Sequence, residues 1–179
     1  MAEAMAVPAK HKSGIPTRYS CALLTISTSK YAMRAQGAEE IGDLSGERAK
    51  ELLEREGHTI VSYAVVPDDE LRIYTGVLEA LQSGADFIIT SGGTGLTKHD
   101  VTIEVVAKLL EKEIPGFGEL FRSRSYEEIG TATVLSRAIA GVIAGKVIFC
   151  LPGSPDAVRL AVEEIILPEI AHMVKHVGE

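Results

Sequence analysis

Short runs of branched and apolar residues alternate along this chain with segments of helical period, and that alternation narrows the possible folds more than any other feature. Five runs read as strands: Tyr19 to Ser27, Thr59 to Val66, Asp86 to Thr90, Ala138 to Ala144 and Lys146 to Leu151. Between them, Gly46 to Glu56 carries Ala49, Leu52 and Leu53 on one helical face, with Ser45 placed to cap it and Gly57 to end it. Asp68 and Asp69 supply the acidic first turn of a helix through Ser83, where Leu71, Tyr74, Leu78 and Leu81 recur at helical spacing. A further helix is expected from Val101 to Glu113, and a short one to about Glu128 after the break at Ile114 to Gly118. The last helix holds Val158, Ala161, Ile165, Ile166, Ile170 and Val174, and Pro168 should kink or interrupt it. The stretch from the first strand to Asp43 reads as a loop, and the last two strands as a hairpin turning near Gly145. Such alternation argues an α/β fold, a three-layer α/β/α sandwich whose mostly parallel central sheet is covered on both faces.

The chain has 179 residues, 46% of them hydrophobic, which suits one sizeable core. A single domain is expected over residues 17–179, with residues 1–16 as a flexible arm. Net charge is −7 without any Lys/Arg run, which argues against a nucleic-acid partner. No apolar run approaches the roughly 18 residues needed to span a bilayer. The opening segment Met1 to Pro16 lacks the apolar core of a signal peptide, so a cytoplasmic protein is expected. Cys21 and Cys150 sit inside apolar strands and read as reduced, buried thiols; a disulfide would require those two strands to be neighbours. None of the five histidines forms a spaced cluster with Cys or acidic residues.

Chemistry concentrates in the run Thr90 to Thr102. Ser91, Gly92, Gly93, Thr94 and Gly95 follow directly on a strand, where small residues free backbone N–H groups to face an anion. No Lys-Ser or Lys-Thr follows the last glycine, so this is not a Walker A loop, nor is it G-x-G-x-x-G. Asp100 stands where the next helix begins, either as its N-cap or as a carboxylate facing the same pocket. Right-handed crossovers gather the loops at the strands' carboxyl ends on one edge. Three loops of special composition then meet there: the turn holding Asp68, the glycine loop, and Leu151 to Pro155. In an acidic chain an anion site has to be local, built from amides, a few Lys or Arg, and a divalent cation.

The run ending in Asp-Val-Thr resembles the molybdopterin adenylyltransferase family, the MogA/MoaB proteins and the matching domain of gephyrin. Asp43-Leu-Ser-Gly46, Val66-Pro67-Asp68-Asp69, Pro115-Gly-Phe-Gly-Glu119, Leu135-Ser-Arg-Ala138 and Leu151-Pro-Gly-Ser-Pro155 follow the family's other short motifs in order. The likeness covers the chain from about Tyr19 to its end. It implies a MogA/MoaB-like fold and the transfer of adenylate from Mg²⁺-ATP to the terminal phosphate of molybdopterin, with release of pyrophosphate. It also implies homotrimers or hexamers, and handover of product to the metal-inserting enzyme of the same pathway. Asp68 and Asp100 match the family's catalytic aspartates and are expected to hold the metal ion. Without the likeness, both are equally ordinary cap or first-turn acids. Ser91 to Gly95 are expected to bind nucleotide or molybdopterin, or else simply to turn the chain. Ser136 and Arg137 are read as phosphate ligands, the alternative being a salt-bridged surface Arg. Pro152, Gly153 and Ser154 form a ligand wall, a helix cap with Pro155 in first position, or both. Ser27-Thr28 stands where many relatives read Ser-Asp, and His99 where Arg is usual before Asp-Val-Thr. A non-catalytic pterin- or nucleotide-binding carrier or scaffold is the competing function.

Overall fold

A computed structural model of the chain describes residues 18–179, so the arm expected at residues 1–16 lies outside the described residues. In chain order the elements are β1 (Ser20–Ile26), α1 (Thr28–Ala35), α2 (Leu44–Arg55), β2 (Thr59–Val66), α3 (Glu70–Gln82), β3 (Phe87–Ser91) and α4 (Thr102–Ala107). They continue with β4 (Lys112–Glu113), α5 (Pro115–Ile129), β5 (Ile139–Ile143), β6 (Lys146–Leu151), α6 (Pro155–Ala161) and α7 (Leu167–Val177). One six-stranded sheet has the order β2-β1-β3-β6-β5-β4. Its first four strands are parallel, and β5 and β4 close the far edge antiparallel. This is the α/β/α sandwich that the alternation of elements implies.

Each inner strand divides its side chains between two cores. Cys21 and Leu23 of β1, Phe87 and Ile89 of β3, and Val147, Phe149 and Leu151 of β6 face one side, against α2, α5, α6 and α7. Ala22, Leu24, Ile88, Ile148 and Cys150 face the other, with Ile73 and Val77 of α3 and Val105 and Val106 of α4. Strands buried on both faces need no polar alternation, which is why they read as near-continuous apolar runs. Cys21 and Cys150 are both buried and free. They lie on opposite faces, with β3 between their strands, so the condition for a disulfide is not met.

Four local expectations change. The stretch after β1 is not all loop. Ser27 caps α1, its side chain accepting from the Lys30 N–H. That helix buries no residue, so no apolar stripe announced it. The cap of α2 is Asp43, whose carboxylate accepts from Gly46, and not Ser45, whose hydroxyl donates to the Gly153 carbonyl at 2.6 Å. The helix expected over Val101 to Glu113 ends at Ala107, because Glu111 and Ile114 donate instead to Val142 and Ala140 of β5. Pairing at the sheet edge overrides helical period here, and Pro115 holds Ile114 out of the helical region. The supposed break at Ile114 to Gly118 is the first turn of α5, with Pro115 at a position that needs no N–H donor. The hairpin does turn where expected: Ala144 and Gly145 have φ of 48° and 72°, the paired positive values of a tight two-residue connection. Residues Val162–Ile166 widen into a π-turn just ahead of Pro168, which lacks the N–H that would continue a regular ladder. Among the described residues no helix is long and apolar enough to cross a membrane.

The start of β1 is tied down by His58, which is 7% exposed and accepts the Tyr19 N–H at Nδ1 over 3.2 Å. Burial holds this imidazole below its ordinary value. The unfolded chain therefore takes up a proton first as the pH falls below about 6.5, and folding loses stability there until the folded group also titrates. The melting temperature should drop more steeply between pH 7 and 5 for the wild type than for His58→Asn, whose amide oxygen accepts the same bond without titrating. Parallel pH profiles would remove His58 from this account.

Candidate active site

The carboxyl ends of β1, β2, β3 and β6 lie on one edge of the sheet. The chain leaves β1 toward β2 on one side, and leaves β3 toward α4 on the other, so a crevice opens between them. Gly92 sits in that crevice with φ +100°, and a Cβ there would fall on the Ile26 carbonyl oxygen. Its N–H donates to the Leu151 carbonyl at 3.0 Å, and its own carbonyl accepts the Thr102 hydroxyl at 3.0 Å. Gly93, at φ +63°, has no room for a Cβ beside Thr102 Oγ1. Only glycine lets the chain pass between the ends of β1 and β6 and enter α4 from there.

The resulting cleft, about 360 Å³, is lined by Gly92 to Gly95 and Asp100, by Leu135, Ser136 and Arg137, and by Pro152 and Gly153. Larger hollows lie on helix surfaces and at the β4–β5 sheet edge, but the glycine loop takes no part in them. The glycine loop, the Ser136–Arg137 segment and the loop after β6 are thus brought together. Ser91 is not in the lining; it ends β3 in register with Thr25 and Leu151. Ser154 lies outside it too, accepting from Ala157 as the cap of α6, with Pro155 next. Lys98 and His99 are exposed.

Each aspartate is held by a threonine through one oxygen. Asp68 Oδ2 accepts the Thr28 N–H and hydroxyl, both at 2.8 Å, while the Asp68 N–H donates back to Thr28 Oγ1. Asp68 Oδ1 lies 3.3 Å from the place a Cβ on Gly93 would occupy, so the carboxylate borders the loop without lining the cleft itself. Asp100 is not the cap of α4. Val101 occupies that position without a side-chain bond, and Asp100 Oδ2 instead accepts the Thr97 hydroxyl at 2.7 Å and N–H at 2.9 Å. Asp69, not Asp68, caps α3.

Arg137 makes its bonds inside the chain. Its guanidinium donates to the carbonyls of Thr94, Gly95 and Asp100 and pairs with Glu104 at 2.5 Å. Thr97 and Glu104 were not singled out by sequence, and Thr28 was noted only as standing where many relatives have Asp. Thr97 and Glu104 flank the glycine run closely enough to have been suspected, whereas Thr28 acquires meaning only through β1–β2 pairing. Asp43, buried under the edge, accepts from Thr25, Tyr63 and Gly46 and pairs with Lys30 at 3.2 Å. Those bonds outweigh burial and keep its carboxyl below the usual range.

The family described as "Probable molybdopterin binding domain" matches residues 22–172. The chain belongs to that family. It is 48% identical over 166 residues to the molybdenum cofactor biosynthesis protein B of Bacillus anthracis, covering 92% of this chain and 94% of the relative. It is 42% identical over 174 residues to the molybdopterin adenylyltransferase of Pyrococcus furiosus, covering 95% and 98%. Its fold superposes with a TM-score of 0.80 on the crystal structure of the tungsten cofactor synthesizing protein MoaB from Pyrococcus furiosus, at 43% identity and with 92% and 99% covered. The chain is thus a molybdenum cofactor biosynthesis protein by family, with a MoaB-like fold.

The Thr97 hydroxyl is the foremost of the bonds that keep the Asp100 carboxyl below the usual range, followed by the Thr97 and Gly95 amides and the Arg137 charge. Thr97→Val removes the first of them at nearly constant volume. The Asp100 titration, followed by carboxyl carbon NMR, should move upward, and an unmoved curve would show that the hydroxyl does not hold the carboxylate.

Proposed function

We propose that this protein is a molybdopterin adenylyltransferase, which joins molybdopterin to AMP taken from Mg²⁺-ATP and releases pyrophosphate. The observation that carries this reading is the pairing of two threonine-anchored carboxylates with a loop of constrained glycine amides at the strand edge. The Pyrococcus furiosus adenylyltransferase, alike over nearly its whole length, supports it. In the reaction a terminal phosphate oxygen of the pterin attacks the α-phosphorus of ATP, a new P–O–P bond forms, and pyrophosphate leaves with the broken bond's electrons. Both reactants are anions, so positioning and charge neutralisation carry the catalysis.

The amides of Gly93 and Thr94 offer fixed dipoles to phosphate oxygens without the desolvation penalty of a buried cation. Ser136 supplies a hydroxyl on the opposite wall of the cleft. The donor set also suits magnesium. Hard carboxylate oxygens are present at Asp68 and Asp100, and no larger group of His, Cys, Asp and Glu is found among the described residues. A metal that arrives with nucleotide phosphates typically takes one or two carboxylates and keeps its waters, which is the complement these two residues offer. Such an ion would neutralise charge developing on the phosphates. Thr28 and Thr97 hold each carboxylate in place, and the Thr97 hydroxyl favours the ionised form of Asp100.

Incubation with molybdopterin, ATP and Mg²⁺ should yield adenylated pterin and pyrophosphate. Asp100→Asn and Asp68→Asn should each lower turnover by about two orders of magnitude, the size of one lost transition-state contact of ~3 kcal/mol. Molybdopterin binding should persist in both variants. Wild-type turnover in both would leave the two aspartates without a catalytic role. For assembly, Tyr126, Ile129, Val134 and Leu135 leave an apolar surface exposed from α5 to the rim of the cleft, which supports a homotrimer or hexamer. Sedimentation equilibrium at micromolar concentration should return a multiple of three chains, and a monomer would refute the assembly.

A further inference from the structure

The Arg137 guanidinium lies at the cleft but has almost nothing left to give a ligand. Its Nε donates to the Thr94 carbonyl at 2.9 Å, and Nη2 to the carbonyls of Gly95 at 2.7 Å and Asp100 at 3.1 Å. Its Nη1 donates to Glu104 Oε1 at 2.5 Å, with Glu104 Oε2 3.4 Å from Nη2. Of the guanidinium's donors, only one hydrogen on Nη1 is left uncommitted, and the positive charge is neutralised by an adjacent carboxylate. A fork with its prongs so engaged cannot also clamp a phosphate.

Those bonds have a directional consequence. In a trans peptide the carbonyl of one residue and the N–H of the next point in opposite directions. No cis peptide occurs among the described residues. By drawing the carbonyls of Thr94, Gly95 and Asp100 to one side, Arg137 turns the N–H groups of Gly95, Leu96 and Val101 to the other, that of Gly95 toward the Asp100 carboxylate. Left unbound, the same carbonyls would be free to rotate and present lone pairs to an incoming anion. Glu104, in the first turn of α4, fixes the plane of the guanidinium from behind.

We infer that Arg137 and Glu104 form a clasp that holds the glycine loop in its anion-accepting shape, with Arg137 a positioning residue and not a phosphate ligand. The effect on ATP binding rests on the adenylyl-transfer reading; the effect on the loop does not. In the unliganded protein the Thr97, Asp100 and Thr102 amides donate to Asp100 Oδ2, the Thr97 carbonyl and the Gly93 carbonyl, so their exchange rates report the shape of the loop.

The test compares Arg137→Lys, which keeps the charge but loses the fork, with Glu104→Gln, a change at a half-exposed side chain that leaves the core untouched. Hydrogen exchange at these three amides should quicken about tenfold in Arg137→Lys and by a smaller factor in Glu104→Gln, with β1, β3 and β6 amides unchanged. Titration with Mg²⁺-ATP should show weaker binding in both. A phosphate-ligand role predicts the opposite sign for Glu104→Gln, since freeing the Arg137 charge would tighten ATP binding. Unaltered loop exchange in both variants, or tighter ATP binding in Glu104→Gln, would overturn the clasp. Absence of adenylyl transfer in the wild type would sink the functional reading, while the exchange result would still judge the clasp by itself.

Discussion

Three strand ends can meet at this site only because the chain at Gly92 carries no side chain. The Gly92 backbone rests on the Ile26 carbonyl of β1, donates to Leu151 of β6, accepts from Thr102 of α4 and lies against Gly153. A single methyl group there would overlap a backbone oxygen that the β1–β2 and β1–β3 pairings hold in place. The parallel register of β1, β3 and β6 and the position of the loop that follows are therefore one constraint seen from two sides. Where Gly93 to Gly95 go, and hence where Asp100 and Arg137 meet them, follows from it.

The strands and the glycine loop were legible in the sequence because burial on both faces and positive φ leave compositional marks. Thr59 to Val66 and Lys146 to Leu151 were read with their exact bounds. What failed had physical reasons. α1 buries nothing, so it has no stripe to read, and a single serine cap decides it. Lys112 and Glu113 continue a helical pattern but lie beside β5, where sheet pairing rewards the extended chain. Asp100 has the chemistry of a cap, yet Thr97, three residues earlier, captures it into a local turn before α4 begins. Arg137 was read as a phosphate ligand or a salt-bridged surface Arg; the structure shows the salt bridge, to Glu104, and adds loop carbonyls about forty positions away, beyond any local pattern.

The electrostatics follow from the same arrangement. A chain of net charge −7 repels anions at long range, so attraction for one has to be built locally. Its cleft is bordered by the glycine loop and by two carboxylates, each held by a threonine, while the nearest guanidinium is bonded within the chain.

Thr28, the anchor of Asp68, is also the first residue of α1, a helix that buries no side chain. Segments with so little packing open at the low end of a protein's stability scale, long before the core does. The Asp68 carboxylate thus depends on a turn with no buried side chain, although Asp68 itself follows a strand of the central sheet. Warming would loosen this end first and free the Asp68 carboxylate from its anchor while both cores stayed intact, so that loss of the cleft's local order and thermal unfolding become separate events.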